Sequence, residues 1–218
     1  MTPSGVRGHC SNIRISTRLN PPSLVNLNCD GLLFSSASGY SPLGVLRGQL
    51  ETNDPASLAL LDKNCHEFDD SNDFIIAGFN LNRHKKIILA PDQYSNYYQA
   101  KSPVHNDIWL DFLYASTYYS LVLASRMGIR KLGLTHSLHG INRRFIYCIG
   151  DAIGLYADSY VGNTIEEIIF TGCCFNQNEE TNLMNLFHLN HEGAITQHRE
   201  IQHSHGTYFG MTSIIISL

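Results

Sequence analysis

The apolar positions fall into short blocks separated by polar turns, and the blocks alternate between two periods. Arg14-Ile15-Ser16-Thr17-Arg18-Leu19 alternates like an edge strand that Pro21-Pro22 ends. Cys29 to Phe34, Asp73 to Phe79, Lys86 to Ala90, Lys131 to Leu134 and Ile165 to Phe170 read as short strands. The second and third of these are joined by a polar turn and suit a hairpin. Helical spacing begins at Asn53-Asp54-Pro55, with Pro55 in the first turn and Leu58, Leu60, Leu61 and Cys65 on the apolar side. It returns over 108–127, where Trp109, Phe112, Leu113, Tyr119, Leu123 and Met127 recur. Asn106 or Asp107 caps that start, and Gly128 ends the helix in the left-handed conformation. Further helices are expected over about 143–158 and 179–189, and Ile214-Ile215-Ile216 adds a strand.

Helices alternating with short apolar strands imply parallel pairing in a sheet covered on both faces. The expected class is α/β, a three-layer α/β/α sandwich with a mixed, largely parallel central sheet. In such sheets ligands bind outside the carboxyl ends of the strands. That rule directs attention to 35–40, 135–142 and 171–176.

Composition narrows the picture. A chain of 218 residues is long enough for one large domain with its own core. The expected division is an N-terminal extension over 1–23 and one domain over 24–218, with a His-rich extension from about 190. Charged residues are 16% and the formal net charge is −4, so no global attraction to phosphate backbones or anionic lipid exists. Neither nucleic acid nor membrane is an expected partner, and an oligomer is compatible with the composition. Arg126, Arg130, Lys131, Arg143 and Arg144 nevertheless crowd one stretch. The six cysteines are irregularly spaced, and Cys29, Cys148, Cys173 and Cys174 sit in apolar runs as small hydrophobes. With no apolar signal core over 1–20, a reducing cytoplasmic setting is expected.

The stretch richest in chemistry is Lys131 to Arg144, KLGLTHSLHGINRR. A strand ends, a loop Thr135-His136-Ser137-Leu138-His139-Gly140 follows, and a helix starts with Asn142 as its cap. A helix N-terminus carries unpaired N–H groups and a positive dipole end, which favour anions such as phosphate. Gly140 lets the backbone approach a ligand. The same residues also suit an ordinary strand-to-helix turn. His136 and His139 are the groups suited to ligand contacts or acid–base work near neutral pH. His188 and His191 share a helix face, and His198, His203 and His205 crowd the tail, but no HExxH or paired Cys/His pattern accompanies them. No metal or cofactor is expected. Ser35, Ser36 and Ser38 lack a GxSxG elbow, so they read as turn residues or hydrogen-bond donors.

Lys131 to Arg143 resembles the second phosphate loop of the macrodomain family, S-I-A-F-P-A-I-S-T-G-I-Y-G. Gly140-Ile141 fall on its G-I pair, His139 on the Thr and Ser137 on the preceding Ile. Ala124 to Ile129 is similar to the family's A-x-x-x-G-I approach, and Phe175 falls in the region that often lines the nucleoside site. Asp30-Gly31-Leu32-Leu33-Phe34-Ser35-Ser36-Ala37 keeps the Asp and the strand of the first loop, D-A-I-V-N-A-A-N. It has Phe34 and Ala37 where the two Asn stand, and Gly39, Gly44 and Gly48 are scattered in place of a glycine triplet. The resemblance implies binding of a nucleotide or ADP-ribose-type ligand by Ser35, Ser36, Ser38, Gly39, Ser137, Leu138, Gly140, Ile141, Asn142, Arg143 and Phe175. Two rival readings remain. One is a hydrolase of ADP-ribosyl or phosphate esters, with His139, His136 and Asp30 as acid–base groups. The other is an interaction module that has lost its ligand.

Overall fold

Successive side chains of a strand point to opposite faces, so a strand buried on both must be apolar throughout. The central strand meets that demand. Leu32 and Phe34 enter one core while Leu33 enters the other, and none of the three exceeds 7% exposure. The structure, a computed structural model, describes residues 13–19, 21, 23–36, 44–69, 74–80, 85–91, 103–135, 143–172 and 211–217. Its elements run β1 (Arg14–Leu19), β2 (Gly31–Ser36), α1 (Gly44–Asn53), α2 (Pro55–Asp69), β3 (Phe74–Asn80), β4 (Lys86–Pro91), α3 (Pro103–Arg126), β5 (Lys131–Thr135), α4 (Arg143–Ser159), β6 (Glu167–Gly172) and β7 (Met211–Ser217).

The strands form one seven-stranded sheet in the order β1-β6-β5-β2-β4-β3-β7. β1, β6, β5, β2 and β4 are mutually parallel. β3 runs antiparallel to β4, as the hairpin reading expects, and β7 lies parallel to β3. The sheet is therefore mixed and largely parallel. β1 and β7 belong to the segments set apart in the sequence as extensions, 1–23 and about 190–218. Both are strands of the sheet, so neither segment stands wholly outside the folded unit.

Two cores flank the sheet and make the three layers. α3 and α4 supply Leu121, Leu123, Ala124, Ile149 and Ile153 against Leu33, Ile88, Leu132, Leu134, Ile168 and Phe170. On the other face α1 and α2 supply Leu46, Leu50, Leu58 and Leu61 against Leu32, Phe34, Phe79, Ile87 and Leu89. The alternation of Ile87/Leu89 with Ile88/Ala90, and of Ile168/Phe170 with Ile169, sorts each strand's side chains between these cores.

Local signals account for most element ends. Asp54 accepts a hydrogen bond from the Ser57 N–H at 3.2 Å and one from the Ser57 hydroxyl at 2.5 Å, capping α2 where Pro55 begins it. Leu60, expected on the apolar side of α2, is 38% exposed. α1 was not expected. It is held by the paired hydrogen bonds of Arg47 to Asp62 at 2.9 and 2.7 Å, which tie it to α2. α3 begins at Pro103, so Asn106 and Asp107 lie inside the helix and do not cap it. At its other end Gly128 has φ +69°, where any side chain is strained. The helix expected over 179–189 lies outside the described residues.

Gly133 carries a packing constraint. A Cβ there would sit 2.6 Å from Leu32 Cδ2 and 3.1 Å from Leu27 Cδ2, both on buried side chains. Gly150, inside α4, has nothing within 4 Å of the same atom. Gly133→Ala should lose about 1–3 kcal/mol through overpacking. Gly150→Ala should gain about 0.4–1 kcal/mol by restricting the unfolded chain. Thermal unfolding of the two variants checks the pair, and a Gly133→Ala variant as stable as wild type contradicts this packing.

Candidate functional site

Parallel strands place all their carboxyl ends on one edge. Ser36 of β2 is paired with Pro91 of β4, and Thr135 of β5 with Phe34. The Thr135 hydroxyl donates to the Leu33 carbonyl at 2.8 Å, locking the ends of β5 and β2 together. The chain then leaves these two neighbours in opposite directions. After β2 it enters α1 and α2, on one face; after β5 it enters α4, on the other. Adjacent parallel strands whose continuations part to opposite faces leave a crevice between them at their carboxyl ends, the usual ligand position in such sheets.

α4 points its N-terminus at this edge. Near its other end Tyr156 donates to Asn163 Oδ1 at 2.8 Å, and the Thr164 hydroxyl donates to the Ile129 carbonyl at 3.0 Å, just before β5 begins. The helix therefore runs from the carboxyl edge down to the amino edge. Its first N–H groups, from Arg143 on, have no partner within the helix and lie at the carboxyl edge.

Of the residues singled out from sequence, Ser35 and Ser36 end β2 and Arg143 begins α4, so their backbones converge on this edge. Ser38, Gly39, His136, Ser137, Leu138, His139, Gly140, Ile141, Asn142 and Phe175 lie outside the described residues. Asp30 is at the opposite end of the molecule. Its carboxylate accepts the N–H groups of Arg130 at 3.0 Å and Lys131 at 2.8 Å, at the amino ends of β2 and β5. Six residues of strand separate it from Ser36, about 20 Å at 3.3 Å per residue. Asp30 thus joins two strands and cannot reach a ligand at the crevice, which removes it from the acid–base candidates. The basic stretch is divided in the same way. Arg130 pairs with Glu166 at the amino edge, whereas Arg143 begins α4 at the carboxyl edge.

Asp151 is a group that the sequence reading missed. It lies on α4, is 3% exposed, and its Oδ1 has no hydrogen-bond partner. Burial pushes its carboxyl up to about 7. It sits eight residues beyond Arg143, about 12 Å along the helix axis, so it lies beneath the edge. A lone carboxylate among Cys148, Ile149, Ala152 and Ile153 was the available signal. Cys148 of α4 is buried in the core, and burial pushes the Cys29 thiol up. Among the described residues no three His, Cys, Asp or Glu side chains converge as a metal site, and no helix is long and apolar enough to cross a membrane.

No family model matches the sequence. No curated protein matches it either. Solved structures do. The macro domain of ganglioside induced differentiation associated protein 2 superposes with a TM-score of 0.54 at 14% identity, over 79% of this chain and 84% of that one. The Trypanosoma brucei macrodomain in complex with ADP gives 0.52 at 13% identity, over 79% and 68%. The chain has a macrodomain-like fold. Poly(ADP-ribose) glycohydrolase from Deinococcus radiodurans, in complex with ADP-ribose, shares this macrodomain-like arrangement at a TM-score of 0.50 and 14% identity, over 86% and 88%. Larger proteins share it too: the chain spans 36% of a tomato leucine aminopeptidase and 24% of the alphavirus P23pro-zbd.

Asp151 yields a pH prediction. The folded state holds a proton on this carboxyl up to about pH 7, whereas the unfolded chain releases it near pH 4. Between those values the native state binds the extra proton, so this group makes stability fall as pH rises. Asp151→Asn should remove that fall and gain up to about 4 kcal/mol at pH 8 relative to pH 4. Chemical denaturation of both proteins at the two pH values checks this. A wild-type excess over the variant that grows with pH contradicts it.

Proposed function

We propose that the chain binds a nucleotide or ADP-ribose-type phosphorylated ligand in the crevice outside the carboxyl ends of β2 and β5. The observation that carries this reading is the parting of the chain to opposite faces after these two strands. The α4 N-terminus directed at the same edge supplies the attraction for a pyrophosphate. Structural neighbours of this fold were solved with ADP and with ADP-ribose, which supports the same ligand class.

In this reading, backbone N–H groups of Ser35, Ser36, Ser38 and Gly39 on one side hold the pyrophosphate. Those of Ser137, Leu138, Gly140, Ile141, Asn142 and Arg143 hold it on the other. Gly140 keeps the second loop open to close backbone approach. Phe175 offers a ring to the nucleoside, and His136 and His139 offer imidazole contacts to its sugars or phosphates.

ADP-ribose at about 100 times its dissociation constant should stabilise the protein by about 2.7 kcal/mol. For a domain of this size that raises the melting temperature by about 5–10 °C. Adenosine, lacking the pyrophosphate, should give no comparable shift. Gly140→Val should abolish the ADP-ribose shift while the free protein still unfolds cooperatively. Asp30→Asn should lower the melting temperature of the free protein but leave the shift in place. Thermal unfolding with each ligand reads all of these outcomes. Equal shifts from adenosine and ADP-ribose, or none from ADP-ribose and NAD, contradict the proposal.

A further inference from the structure

Among the described residues, the face of the sheet that carries α1 and α2 is covered unevenly. Those helices pack over β2, β4 and β3, while β1, β6 and β5 border a groove of about 880 Å³ beside the 24–27 turn. That volume lies within the range of small-molecule sites. Strand pairing sets out its charges. Arg14 of β1 is in register with Glu167 of β6, which is in register with Lys131 of β5, so the three side chains form one row across the sheet. Arg18 stands four residues further along β1, about 13 Å away at strand spacing.

The row is internally matched only in part. The Glu167 carboxylate is 10% exposed; it accepts Arg14 Nη2 at 2.5 Å and the Ser16 hydroxyl at 2.8 Å. The Arg14 guanidinium holds this carboxyl below the usual carboxylate range, so it stays charged at neutral pH. Arg18 and Lys131 line the same groove and form no ion pair among the described residues. Three cations therefore face one carboxylate, a local excess of positive charge in a protein whose formal net charge is −4. A concave, cation-lined groove concentrates the field and draws in anions.

We propose that this groove is a second ligand site, separate from the crevice at the carboxyl edge, and that it takes a chain of linked phosphates. Guanidinium and ammonium groups spaced along a trough suit several phosphates in line better than a single one. Ser16 and the buried Ile169 form the floor between the two cationic ends. The recognised chemistry is the phosphate chain itself, whether free or carried on a nucleoside.

The test is calorimetric titration at low ionic strength of wild type and an Arg18→Gln/Lys131→Gln double variant, each with inorganic tripolyphosphate, ATP and ADP-ribose. Wild type binds tripolyphosphate, and the double variant binds it at least tenfold more weakly, with ADP-ribose affinity unchanged. ATP bound no more tightly than tripolyphosphate assigns the free chain as the ligand form; ATP bound more tightly assigns the nucleoside form. Glu167→Gln, which keeps one acceptor oxygen for Arg14 and removes the negative charge, strengthens tripolyphosphate binding several-fold. Binding to wild type that is absent, or that changes by less than twofold in the double variant, overturns the proposal. So does an equal loss of ADP-ribose affinity, which would merge the two sites. If ADP-ribose binds neither protein, the reading of the crevice fails while the groove is still decided by tripolyphosphate.

Discussion

β2 has no solvent face, and the rest of the structure follows from that constraint. Its run of Leu32, Leu33 and Phe34 must feed two cores at once. Full burial of each such side chain stabilises by about 1.5–3 kcal/mol. Helical layers are therefore required on both sides of the strand. One connection, through α1 and α2, covers one face; the others, through α3 and α4, cover the opposite face. The ligand site proposed here lies between β2 and β5, where the chain parts to reach both layers.

The two edges of the sheet carry different loads. At the amino edge, backbone and side chains interlock. The Asp30 N–H donates to the Lys131 carbonyl at 2.9 Å and the Asp30 carbonyl accepts from the Lys86 N–H at 3.0 Å, while its carboxylate holds two more N–H groups. Nearby, Ser125, Tyr156, Asn163 and Thr164 form a hydrogen-bonded cluster that joins the ends of α3 and α4 to the approach of β6. Burial pushes the Tyr156 phenol up to about 12, so it remains a neutral donor. The Asp30 bonds tie the amino ends of β2, β4 and β5 to one another.

Much of this was legible from pattern alone, because burial on two faces writes continuous apolar runs and helices write a 3.6-residue stripe. The strands at 31–36, 86–91 and 131–135, the helix at 143–159 and the glycine stop at Gly128 all carry such local signals. α1 did not stand out, since Leu46 and Leu50 are its only described core side chains, set among Arg47, Gly48, Gln49 and Glu51. Asp30 misled for a different reason. Its resemblance to a motif residue outweighed its position just before a strand, which in a parallel sheet means the amino edge. The row of Arg14, Glu167 and Lys131 is made by pairing between segments 36 and 153 residues apart, and no local pattern announces it. Asp151 owes its raised pKa to burial against distant elements, which a lone acid in an apolar helix only suggests.

The proposed function rests on the parting of the chain at β2 and β5. A crystal structure of the complex with ADP-ribose tests it most directly. The pyrophosphate is expected between the carboxyl ends of these two strands, within hydrogen-bond reach of the first N–H groups of α4. Pyrophosphate density at the amino edge beside Asp30, or in the groove over β1, β6 and β5, would contradict it.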